Sequence, residues 1–168
     1  MARLPEILLA DANVLIDYVE TDVEILQFAA GLFMRLTVPR PVLKQVPRLT
    51  PAACRKIGVV VIDAETEMLL EAAIRSPALG FQDSLCLILC ERNKWTCVTN
   101  DVALARVCRQ AEVPVRRGLN LMVELVAHSK LPTSRALAVA RAIQSTNPFI
   151  TETVVKEFER LILSTREK

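Results

Sequence analysis

Three aspartates stand where the chain changes character: Asp11, Asp83 and Asp101. Asp11 ends the apolar run Ile7-Leu8-Leu9-Ala10. Asp101 follows Thr96-Cys97-Val98-Thr99-Asn100, a second short strand pattern. Asp83 opens the apolar helical stretch that leads into that second strand. If the two strands lie side by side in a parallel sheet, the three carboxylates meet at its C-terminal edge. Clustered carboxylates repel one another, and a cation is the usual means of holding them together. Such a group suits phosphodiester hydrolysis, in which a divalent ion activates a bound water and stabilises charge on phosphate oxygens. Carboxylate and amide oxygens favour hard ions, Mg²⁺ or Mn²⁺. N-capping is the simpler account of an aspartate at a strand-to-helix junction, and it applies to each position taken singly.

Neighbouring residues could support the carboxylates. Asn13, two residues after Asp11, is placed to cap the helix that begins there. Thr99 and Asn100 are placed to orient Asp101. Asp17 lies four residues beyond Asn13, on the same helical face, where it could reach the site or bond to neighbouring backbone, the second being its expected role.

The elements that must position these groups follow from periodicity. Strands are expected over 6–10, 36–38, 58–62, 96–99 and 113–115. Helices are expected over 13–19, over 22–33 with Asp22 as N-cap, over 64–75 with Met68, Leu69, Ala72 and Ala73 inward, and over 81–92, 102–111 and 119–129. Strands and helices alternate without a tight hairpin. The pattern predicts a three-layer α/β/α, Rossmann-like parallel sheet of four or five strands. Ligands of such sheets bind beyond the C-terminal strand ends, where strand order reverses. Residues 129–168 read as a C-terminal helical extension to a domain spanning 1–128. Its helices are Ser134–Gln144, capped by Thr133, and one whose stripe is Ile150, Val154, Val155, Phe158, Leu161 and Ile162. The stripe suits packing on the same domain or on a dimer partner.

Composition narrows the class. The 168 residues suit one domain with a sizeable core. Apolar residues make up 52% and the mean hydropathy is +0.32, yet no apolar run approaches the roughly 18 residues of a spanning helix. The apolar segment after Arg3 is too short for a signal peptide. Five cysteines with no CxxC pair read as core residues in a reducing cytoplasm, and the lone His128 reads as a helix-end residue. Net charge is +2, but six bases and no acid lie between Arg35 and Lys56. In that block Arg40, Lys44 and Arg48 are candidate phosphate contacts. Aromatics are only 4%, which argues against an extended base-stacking platform.

LLADANVLIDYVE (Leu8–Glu20) and GFQDSLCLILCERNKWTCVTNDVALARVCRQAEVPV (Gly80–Val115) together resemble the paired motifs of the PIN-domain family, which includes the toxin ribonucleases of prokaryotic toxin–antitoxin modules. The likeness runs over about residues 6–128 in the order of its elements. It implies cleavage of single-stranded RNA with Mg²⁺ or Mn²⁺, Asp11, Asp83 and Asp101 as ligands, Asn13 in support, and a small antitoxin and a homodimer as partners. Family members usually carry a further acid after the second strand. Here the matching stretch is Pro41-Val42-Leu43-Lys44-Gln45-Val46, so Gln45 stands in the acid's place. Glutamine offers a carbonyl oxygen but no charge. The alternative that follows is a catalytically impaired RNA- or protein-binding module, unless Asp63 or Glu65 replaces the missing acid.

Two other classes place aspartates at parallel strand ends. A phosphoacceptor receiver needs a lysine after a late strand, where Arg116 and Arg117 stand. A haloacid-dehalogenase-like phosphatase needs an aspartate where Asn13 stands.

Overall fold

The computed structural model describes residues 2–75 and 79–165. Its elements in chain order are β1 (Leu4–Ala10), α1 (Ala12–Thr21), α2 (Glu24–Leu32), β2 (Phe33–Pro39), α3 (Arg40–Leu43), α4 (Pro51–Ile57), β3 (Val60–Ile62), α5 (Thr66–Ile74), α6 (Phe81–Asn93), β4 (Thr96–Val98), α7 (Val102–Gln110), β5 (Val115–Arg116), α8 (Asn120–Ala127), α9 (Thr133–Thr146) and α10 (Glu152–Ser164). All five strands are parallel, in the order β3-β2-β1-β4-β5. The protein is an α/β protein of the three-layer, Rossmann-like kind. A receiver domain has the order 2-1-3-4-5, so the topology sets that class aside.

The apolar run after Pro5 becomes the central strand because it can be buried on both faces. Leu8, Leu9 and Ala10 have no exposure. Leu9 pairs with Thr37 on one side and Cys97 on the other. From β1 the chain moves outward through β2 and β3, then crosses back through α5 and α6 to β4. Strand order therefore reverses between β1 and β4. The crevice beyond their C-terminal ends is the natural ligand position in such a sheet. One continuous core joins the sheet, its flanking helices and the tail: Ala136, Ala140 and Ile143 of α9 and Val155, Phe158 and Ile162 of α10 belong to it. No described helix is long and apolar enough to cross a membrane.

Several local expectations change. The second strand spans Phe33–Pro39, longer than 36–38, because Phe33, Leu36 and Val38 all find core partners. The third and fifth are shorter, three and two residues. Asp22 is not the N-cap of α2. It ends α1, and its carboxylate accepts from Arg135 Nε and Nη2 at 2.8 and 3.0 Å. Thr133 lies inside α9 and supplies no side-chain cap. Ala73 faces solvent, and Ala72 alone of α5 is fully buried. His128 does lie at a helix end, as the C-cap of α8.

Candidate carboxylate site at the β1–β4 crevice

Asp11 is the N-cap of α1. Its Oδ1 accepts from Val14 N at 3.0 Å, so the helix begins at Ala12 and Asp11, not Asn13, supplies the cap. Its backbone N donates to Val98 O at 3.1 Å, which ties the end of β1 to the end of β4. Its Oδ2 accepts from the hydroxyl of Thr99. That hydroxyl in turn accepts from Asp101 N at 3.0 Å. Asp101 caps α7, with Oδ1 accepting from Leu104 N at 2.8 Å. Thr99 thus joins two strand ends and two helix caps through one buried side chain. Asn100 acts differently from the expectation: its Oδ1 accepts from Gly118 N at 2.9 Å and so holds the loop after β5. Tyr18 fixes the same loop by donating to Gly118 O at 2.6 Å.

Asp83 lies in the first turn of α6, whose N-cap is Gly80 at a positive φ of 75°. Capping explains Asp11 and Asp101, but not Asp83. Among the described residues none donates a hydrogen bond to its carboxylate. A carboxylate in the first helical turn gains modestly from the helix dipole.

The three carboxylates affect one another. Burial raises the pKa of Asp11 above the ordinary value, against the hydrogen bonds from Thr99 and Val14, and the charge of Asp101 adds to the rise. Burial, then the charges of Asp11 and Asp101, raise Asp83 to about 6. Asp17 is also raised to about 6, by burial first, with Asn147 opposing and Asp11 and Glu20 adding. It is only 6% exposed. Its partner is not nearby backbone: both oxygens accept from Asn147 Nδ2, at 3.1 and 3.0 Å, across 130 residues.

A cavity of about 360 Å³ lies in front of Asp11 and Asp83, with Asn13, Gln45 and Gln82 among its polar walls and Ile16, Val42, Leu79 and Cys86 among the rest. Asn13 is exposed at its rim. Asp101 faces the adjoining groove that shares Asn13 and Ile16. The open donors are all oxygens: the Asp83 carboxylate, the second oxygen of Asp101 and the amide carbonyl of Gln45. This set suits a hard cation. Among the described residues, no three Asp, Glu, His or Cys side chains stand close enough together to enclose one. Gln82, Leu79 and Val42 carry no chemical signature in the sequence. Their place on the wall follows only from how α3 and α6 pack.

The basic block divides. Arg35, Arg55 and Lys56 line a separate cavity with Arg3, at the N-terminal ends of β1–β3 and away from the carboxylates. Arg40, Lys44 and Arg48 follow the C-terminal end of β2 and are exposed, but none lines the carboxylate cavity. Arg40 is paired with Asp63, Nε to Oδ1 at 2.6 Å. That pairing takes up Asp63, and neither Asp63 nor Glu65 lines the cavity, so neither replaces the acid absent at Gln45. The chain matches no family model and no curated protein.

Proposed function

We propose that the protein is a metal-dependent endoribonuclease that hydrolyses phosphodiester bonds of single-stranded RNA, the activity implied by its resemblance to PIN-domain toxins. The observation that carries this reading is the mutual repulsion of Asp11, Asp83 and Asp101 at the point where strand order reverses. Asp11 and Asp83, raised by burial and by the neighbouring carboxylate charges, are acids of the kind that cluster at functional crevices. A bound Mg²⁺ or Mn²⁺ would supply the Lewis acid and the activated water. Asp11 and Asp101, fixed by Thr99, would form the rigid side of its site, and Asp83 and Gln45 the side across the cavity. In this reading the protein is a cytoplasmic homodimer restrained by a small antitoxin protein.

Purified, partner-free protein incubated with single-stranded RNA and Mn²⁺ tests the proposal. Cleavage that Asp11→Asn and Asp83→Asn both abolish is the expected result. RNA left intact at every Mn²⁺ concentration counts against it.

One observation favours a second reading. Gln45 does line the cavity with Asp11 and Asp83, so the uncharged side chain stands where a fourth acid would strengthen the ion's hold. A protein that binds RNA or a protein partner without cutting would follow. Cleavage that appears only in Gln45→Glu would select this reading.

A further inference from the structure

The groove beside the carboxylate cavity has a volume of about 380 Å³ and continues from it through Asn13 and Ile16. Its walls are α1, the first turn of α7 and the turn between α9 and α10. Two apolar side chains on its walls are left almost wholly in water: Val102, 81% exposed, and Phe149, 79% exposed.

Phe149 does not sit on a loose loop tip. Asn147 donates to both oxygens of the buried Asp17, and its own Oδ1 accepts from Phe149 N at 3.0 Å. The turn is therefore anchored to α1, the same helix that Asp11 caps. A phenyl ring left in solvent on this anchored turn forgoes the stabilisation that burial would bring, and an occupant of the groove would restore it.

The charge of the groove limits that occupant. Its described lining includes Asp17, Glu20 and Asp101 and no Lys, Arg or His. A phosphate is repelled there. A flat, neutral, largely apolar group with amino or imino hydrogens on its edge is suited to it: the ring faces Phe149 or Val102, and the edge meets carboxylate and amide oxygens. Those are the properties of a nucleobase.

We propose that this groove is a nucleobase subsite, holding a base of single-stranded RNA next to the phosphate presented to Asp11, Asp83 and Asp101, with Phe149 as its stacking face. The substrate class rests on the ribonuclease reading; the subsite itself rests on the groove. A single subsite is compatible with an aromatic content too low for an extended platform.

The test uses the full chain with Ca²⁺ in place of Mn²⁺, so that the carboxylates are screened from the phosphate, and RNA is checked on a gel to be uncut. Fluorescein-labelled RNA tetranucleotides, intact or with abasic positions, are titrated with wild type and Phe149→Ala. The ring is exposed, so an unchanged melting temperature is the control for folding. Wild type should bind intact RNA about tenfold or more tighter than Phe149→Ala does, and abasic RNA should bind both proteins equally and weakly. In Phe149→Trp, adenosine should quench the new tryptophan saturably, while wild type, with only Trp95, should not respond. Equal affinities in wild type and Phe149→Ala, no binding of intact RNA, or no quenching would each overturn the subsite. The two readings separate. Asp11-dependent cleavage with no effect of Phe149 removes the subsite and keeps the nuclease. Discrimination of intact from abasic RNA that depends on Phe149, without any cleavage, keeps the subsite and removes the nuclease.

Discussion

The hydroxyl of Thr99 donates to the buried carboxylate of Asp11 and accepts from the backbone N of Asp101. One side chain just past β4 therefore sets the position of the acid that follows β1, 88 residues away, and of the acid that caps α7 two residues on.

Replacing Thr99 by Val keeps the shape and removes both bonds. The Asp11 oxygen and the Asp101 N–H are then left unpaired, the first of them fully buried. The expected loss is about 1–3 kcal/mol in urea unfolding. Thr99→Ser, which keeps the hydroxyl, should lose less. Equal stability of Thr99→Val and wild type would show that the bridge contributes nothing.

Stability should also depend on pH in a particular direction. Asp17 and Asp83 titrate near 6 in the folded protein, above their ordinary value of 3.8. Between these values the folded state holds protons that the unfolded chain has released. Their contribution is therefore complete below about pH 4, falls as pH rises toward 6, and is level above that. Glu6, held low by Arg116, acts in the opposite sense, so the informative quantity is a difference. In EDTA, the stability of Asp17→Asn or Asp83→Asn relative to wild type should rise between pH 4 and 6. A difference that stays constant over this range would refute the assignment.

The contrast between these sites shows what the sequence discloses. Asp11 and Asp101 are legible because each ends a short apolar run and begins a helix, a purely local pattern. The sheet follows from the alternation of such runs. What depends on long-range contact is hidden. Asp22 looks like an N-cap until Arg135, 113 residues away, takes its carboxylate. Asp17 looks like a partner of neighbouring backbone until Asn147, 130 residues away, donates to both its oxygens. The basic block reads as one surface, yet the chain puts its two ends, Arg35 and Arg55–Lys56, at one end of the sheet and its middle, Arg40, Lys44 and Arg48, at the other. Gln45 was readable as a departure only through family resemblance; its place on the cavity wall required the packing of α3.

Gln45→Glu should have opposite effects with and without metal. Without metal, a further carboxylate beside Asp11 and Asp83 adds like-charge repulsion and should lower the melting temperature. With Mn²⁺, the added charge should tighten binding, by about tenfold or more if the new carboxylate reaches the ion, a gain of about 1.4 kcal/mol. Calorimetric titration with Mn²⁺, paired with melting curves in EDTA, measures both. A variant that melts lower in EDTA but binds Mn²⁺ no better would place Gln45 outside the ion's reach.

Behind the site, Cys97 of β4 lies within hydrogen-bonding reach of Cys90 and Cys108, and Cys86 is one turn from Asp83 on α6. These four and Cys54 are all free and buried. Burial disfavours the thiolates of Cys54 and Cys86, and Cys97 and Cys108 are raised as well. The thiolate is the reactive form, so proximity here should not produce reactivity. Ellman's reagent added to native protein at pH 8 should show no fast phase. All five thiols should react together once urea unfolds the chain, with a native rate that tracks the opening equilibrium. A rapid native phase of one or two thiols, lost on replacing Cys97 by Ala, would instead make β4 redox-sensitive and, through Thr99, couple oxidation to the carboxylates.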